Sequence, residues 1–114
     1  MIHYNIWFGL RGDVDESEAL AEVRTFLSAL RTAGTVTDFR LLRNCGSGTK
    51  TKLLPFQAQI QFQDDAQFSS TFSDQAARGI RTGPHGRVMS LVNAFHVEVF
   101  RELAESVNTS VSRG

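Results

Sequence analysis

The chain carries one cysteine, two prolines, no surplus of charge and no apolar run near the ~20 residues that cross a bilayer. A single thiol, Cys45, cannot close an internal disulfide, which suits a reducing compartment and leads us to expect a cytoplasmic protein. It has no neighbouring cysteine and no flanking group to activate it, so it reads as an inert thiol. Lys plus Arg equals Asp plus Glu at 12 each, so no overall field steers the chain towards nucleic acid or an acidic membrane surface. The opening Met1-Ile2-His3-Tyr4-Asn5 lacks the basic region and cleavage site of a signal peptide. Without secretion, Asn108-Thr109-Ser110 is a glycosylation sequon by spelling only.

What is present is alternation. Phe56-Gln57-Ala58-Gln59-Ile60-Gln61-Phe62-Gln63 switches between apolar and glutamine without a break. Strand side chains point to opposite faces with period two, so Phe56, Ala58, Ile60 and Phe62 share one face and the glutamines share the other. Ile2, Tyr4, Ile6 and Phe8 oppose His3, Asn5 and Trp7 in a first strand over residues 2–9. Phe39 and Leu41 oppose Asp38, Arg40 and Leu42 in a second, over 36–44. Phe95, Val97 and Val99 oppose His96, Glu98 and Phe100 in a last one, over 95–103.

Two helices intervene. Leu20, Val23, Leu27 and Leu30 recur at helical spacing, Asp13 or Asp15 can cap the start, and Gly34 suits the left-handed residue that ends it. After Asp64 or Asp65, Phe68, Phe72 and Ala76 recur every four residues. Ser and Thr lower the propensity of this second helix, so packing of its phenylalanines must hold it. Gly79, Gly83, Pro84 and Gly86 break the pattern, and Arg87 to Asn93 can add a short helical turn or two. Residues 1–103 thus read as one domain, and 104–114 as a polar tail that frays.

Strand, helix, strand, strand, helix, strand is the order of a ferredoxin-like α+β fold, βαββαβ, with two helices on one face of a four-stranded antiparallel sheet. The apolar strand faces, Phe95/Val97/Val99 included, are then the partners of the helices. The opposite face carries His3, Asn5, Trp7, Arg40, Leu42, Gln57, Gln59, Gln61, His96, Glu98 and Phe100. Water is a poor neighbour for Trp7 and Phe100, since burying one large aromatic contributes about 2–3 kcal/mol. A second copy of the sheet is the simplest cover, with Trp7 as its anchor.

The aromatic first strand Tyr4-Asn5-Ile6-Trp7-Phe8, the long helix ending near Gly34, the Pro55-Phe56-Gln57 lead-in and the Val92-Asn93 step carry a further signal. On these residues the chain resembles the dimeric α/β-barrel superfamily, and within it a small bacterial family with no assigned activity. The resemblance implies a homodimer of ferredoxin-like subunits joined face to face. It also implies a function within a range that includes cofactor-independent monooxygenases, haem-degrading enzymes, isomerases and members without known activity, among which fold alone does not choose.

The expected function is therefore binding of a small organic molecule at or near the sheet face, in a pocket between sheet and helices or within the dimer barrel, through Trp7, His3, Asn5, Arg40, Gln59, Gln61, His96 and Phe100. A cofactor-independent monooxygenase or isomerase is the alternative, its catalytic candidates being His96, Glu98 and Asn5; a dimer module without ligand is the third. Whether the chain is an enzyme stays open. No cofactor or metal is expected: His3, His96 and Glu98 make a two-His, one-carboxylate set only if the first and last strands converge. Gly46-Ser47-Gly48-Thr49-Lys50-Thr51 lacks the Gly-Lys-Ser/Thr ending and following helix of a phosphate loop. Arg78, Arg81, His85 and Arg87 form the one basic cluster, a solvated helix end by default. Glutamines stand where RNA-recognition sheets stack bases on aromatics, so no nucleic-acid partner is expected.

Overall fold

The structure, a computed structural model, describes residues 1–46, 54–78 and 83–103. The tail at 104–114 with its sequon, most of the Gly46–Thr51 loop, and Arg81 of the basic cluster lie outside the described residues, as do the side chains of Ala76, Arg78 and His85. The elements are β1 (Ile2–Leu10), α1 (Glu16–Thr32), β2 (Asp38–Arg43), β3 (Phe56–Phe62), α2 (Asp65–Arg78), α3 (Gly83–Leu91) and β4 (Val92–Arg101). The strands form one antiparallel sheet in the order β2-β3-β1-β4. This is the ferredoxin-like arrangement that the alternation and element order imply.

Local chemistry sets the helix ends. Asp15 is extended and accepts the Glu18 N–H at 2.9 Å, satisfying one of the free donors of the first turn of α1. At the other end Gly34 adopts φ +77°, with Thr35 N–H donating to Leu30 O and Gly34 N–H to Arg31 O, a Schellman closure that any Cβ would strain. In α2 the cap is Asp64, which accepts from Gln67 N–H at 2.9 Å. Gln67 then works in three directions: its Oε1 accepts from Gln63 N–H and the Thr37 hydroxyl, and its Nε2 donates to Gly34 O. One side chain joins the start of α2 to the turn leaving α1.

The core lies between helices and sheet. Ala19, Val23 and Leu27 of α1 are buried with Ile2, Phe8, Phe39, Phe56, Ala58, Ile60 and Phe62 of the strands, and with Val36. Phe68 of α2 meets Phe62 edge-on at 5.1 Å, and Phe72 stacks obliquely on Phe68 and on Tyr4. These rings supply the packing that the Ser- and Thr-rich helix requires.

Two expectations are corrected. A third helix, α3, occupies Gly83–Leu91, starting four residues before the helical turn or two expected over Arg87 to Asn93. Pro84 falls in its first turn, where a missing N–H costs nothing, so a residue read as a breaker opens a helix instead. The other correction concerns β4, which starts at Val92 and whose helix-side residues are largely uncovered: Phe95 is 57% and Val99 51% exposed. β4 is an edge strand, and the helices bury the three strands inward of it.

Candidate functional site

Beneath the helices the core is not filled. A cavity of about 340 Å³ lies between the apolar sheet face and the helices. Its floor is Tyr4, Ile6 and Phe8 of β1, Ala58, Ile60 and Phe62 of β3 and Phe95 and Val97 of β4. Its roof comes from α1 (Val23, Phe26, Leu27, Leu30), α2 (Thr71, Phe72) and α3 (Val88, Met89). Phe72 and Phe95, 39% and 57% exposed, are the lining residues nearest to water and mark a mouth towards the β4 edge.

Two hydroxyls interrupt this apolar wall. Tyr4 is half-buried, and burial raises its phenol above the ordinary tyrosine pKa, so it is a neutral hydroxyl at physiological pH. It has no hydrogen-bond partner among the described residues. Thr71 is buried, and its hydroxyl lies 2.9 Å from both Thr35 O and Gln67 O, either of which it can donate to. Its own oxygen lone pairs remain as acceptors. Among the described residues the lining holds no Asp, Glu, His, Lys or Arg, so none of them offsets the cost of burying a charge there.

The other sheet face is built in rows by the strand register. Asp38, Gln61, His3 and Phe100 stand side by side; so do Arg40, Gln59, Asn5 and Glu98; so do Leu42, Gln57, Trp7 and His96. The structure thus brings the expected site residues onto one surface, on the opposite side of the sheet from the cavity. Trp7, His3, Asn5, Gln59 and Gln61 are half-buried; Arg40, His96 and Phe100 are exposed. His96 Nε2 lies 2.9 Å from Glu98 Oε1, and the Trp7 and His96 rings are 5.9 Å apart. Both members of the His96–Glu98 pair are open to water, which limits what the contact contributes. His3 pairs with Phe100 rather than His96, four positions away along β4 or roughly 13 Å, and its nearest carboxylate is Glu102 at 3.6 Å. The register therefore brings His96 and Glu98 together but keeps His3 apart from His96, so the two histidines do not converge on one point.

A pocket between sheet and helices is one of the two places the sequence allows, but none of the site residues expected there lines this cavity. Two signals could have pointed to it: Tyr4 is the one polar-tipped residue among the inward positions of β1, and Thr71 sits beside Phe72, three residues after Phe68, on the buried stripe of α2.

Solved structures share this architecture. A DABB-family protein from Mesorhizobium loti with a ferredoxin-like fold superposes with a TM-score of 0.63 at 22% identity, over 90% of this chain and 97% of that one. A dimeric ferredoxin-like protein of unknown function from Jannaschia sp. gives 0.63 at 16% identity, over 89% and 98%. SnoaB, a cofactor-independent oxygenase from Streptomyces nogalater, gives 0.63 at 14% identity, over 89% and 91%. At these identities the likeness is one of fold. No curated protein matches the sequence. Residues 1–112 match the model of a family of unknown function, DUF6614, and the chain belongs to that family.

Proposed function

We propose that the protein is a homodimer that binds a small, uncharged organic molecule in the cavity between sheet and helices. The observation that carries the reading is the cavity: its volume, about 340 Å³, falls within the roughly 300–1,000 Å³ of small-molecule pockets. Among the described residues its wall is apolar apart from the Tyr4 and Thr71 hydroxyls, the usual make-up of a site where apolar area supplies affinity and a few polar atoms fix orientation.

Homodimerisation is supported by the opposite face. Trp7 and the amides of Asn5, Gln59 and Gln61 cover a sheet surface that also exposes Leu42 and Phe100, and a second sheet would bury them. On this reading His3, Asn5, Trp7, Arg40, Gln59, Gln61, His96 and Phe100 serve the joint between subunits. The fold shared with a cofactor-independent oxygenase supports catalysis less well, because His96 and Glu98 face away from the cavity and burial makes the Tyr4 phenol less ready to give up its proton.

The test is fluorescence titration with N-phenyl-1-naphthylamine, a neutral apolar dye, alongside sedimentation equilibrium. Saturable binding of one dye per chain, lost in Ala58→Phe, which fills the cavity floor, supports the reading. So does a mass of about twice 12.7 kDa in both proteins. Absence of saturable binding by the unaltered chain, or equal binding by Ala58→Phe, overturns the cavity; a persistent monomer overturns the dimer.

A further inference from the structure

We infer that the two copies stack with β2 of one over β4 of the other, an orientation selected by Arg40 and Glu98. The inference rests on the homodimer proposed above and adds its geometry. Arg40, Gln59, Asn5 and Glu98 form one row across the outer face, with the cation on one edge strand and the anion on the other. Three strand spacings of about 4.8 Å put their backbones roughly 14 Å apart, so the two cannot pair within a protomer. Arg40 is exposed and has no ion-pair partner among the described residues. Asp38, the carboxylate on its own strand, is held by the Phe39 N–H and by Arg31, and Arg40 acts on it only through space.

Two aligned sheets related by a two-fold axis have two simple solutions. An axis parallel to the strands keeps every row opposite itself and exchanges the edges. Arg40 then faces the partner's Glu98, twice by symmetry, and Gln59 faces the partner's Asn5. The gap of about 10 Å between packed sheets is within the combined reach of an arginine and a glutamate side chain. The amides of Asn5, Gln57, Gln59 and Gln61, which make no side-chain hydrogen bond among the described residues, also gain polar neighbours.

An axis across the strands sets each strand over its own copy. Centred on this row, it puts Arg40 against the partner's Arg40 and Glu98 against the partner's Glu98, and like charges so placed are strongly unfavourable. Shifted by half a row one way, it sets Arg40 against the partner's Asp38, which Arg31 already holds, and Glu98 against the partner's Phe100; shifted the other way, it sets Arg40 against the partner's Leu42 and Glu98 against the partner's His96, so in neither does Glu98 meet an arginine. The first solution alone satisfies both edges.

The experiment is sedimentation equilibrium of the full chain and of Arg40→Glu, Glu98→Arg and the double exchange, with circular dichroism confirming that each is folded. The inferred orientation makes each single reversal raise the dimer dissociation constant about tenfold or more, while the double exchange returns it to within about threefold of the starting value. Glu98→Arg also removes the His96 contact, but the double exchange does not restore that contact, so rescue cannot come from it. Single reversals without effect, or a double exchange as weak as the sum of the singles, overturn the orientation while leaving the dimer standing. A chain that is monomeric before any substitution overturns the dimer itself, a distinguishable result.

Discussion

A Cβ placed on Gly9 would lie 2.9 Å from Asn93 Oδ1, closer than such atoms approach in folded proteins. Gly9 pairs with Ala94, and the β1–β4 register slips between Gly9 and Leu10, so the bare backbone of β1 makes room for the first residues of β4. Pro55 closes the third side at 3.8 Å. The Val92-Asn93 step and the Pro55 lead-in, far apart in sequence, thus meet at one glycine. Because Asn93 is exposed and its amide can swing, Gly9→Ala should cost only about 1 kcal/mol, and Gly9→Val about 2–3 kcal/mol, measured by urea denaturation. Asn93→Ala should remove most of the Gly9→Ala penalty, a non-additive pair.

Trp7 separates the two faces experimentally. Truncating a central aromatic of an interface typically costs about 2–4 kcal/mol of association, so Trp7→Ala should shift the chain strongly towards monomer while Trp7→Phe holds part of the affinity. Binding of the dye in the cavity should persist, since Trp7 points away from it. An unchanged dimer constant in Trp7→Ala would show that another surface joins the subunits.

Thr71 is a test of the cavity roof. Replacing it with valine keeps the volume but removes the hydroxyl that reaches the Thr35 and Gln67 carbonyls, a loss of about 1–3 kcal/mol that thermal unfolding can read. Tyr4→Phe, by contrast, breaks no bond among the described residues and should leave stability within about 0.5 kcal/mol. Both should weaken ligands that carry a hydroxyl or carbonyl more than they weaken the hydrocarbon-like dye.

Acid should loosen the fold through identifiable groups. Arg101 grips Asp65 with two parallel bonds of 2.8 Å and holds its carboxyl below the ordinary 3.8 of an aspartate. The Phe39 N–H, then Arg31, do the same for Asp38. A depressed folded-state pKa stabilises the fold above 3.8, and that contribution is lost as pH falls through the lower folded value. Denaturant midpoints should therefore fall below about pH 4, and Asp65→Asn should flatten that limb without changing its direction. Both carboxylates are open to solvent, so salt should reduce the difference between Asp65→Asn and the unaltered chain.

How far the residues themselves disclose this structure varies by element. Alternation in 56–63 dictates a strand and its faces because a shift of one residue would put four glutamines in the core. Asp15 and Gly34 announce the ends of α1 because each solves a local hydrogen-bonding problem. Gly83-Pro84 was ambiguous: the same dipeptide ends one helix and starts another, and only the packing of α3 on the rest of the fold decides. The lining of the cavity was hidden for a different reason. Periodicity tells which way Tyr4, Ile6 and Ala58 point, but whether the side chains that meet there fill the space depends on helix placement. Exposure of Phe95 and Val99 was likewise invisible, since alternation looks the same in an edge strand and a central one.

The position of β1 between β3 and β4 has a consequence for biosynthesis. Its partners are Phe62 opposite Ile2 on one side and Arg101 opposite the same Ile2 on the other. The strand made earliest among the four must therefore wait for the one made last before both its edges are paired. Such non-local closure slows folding. A nascent chain that stops short of Val92 carries β1 as a bare apolar edge, open to whichever strand arrives first.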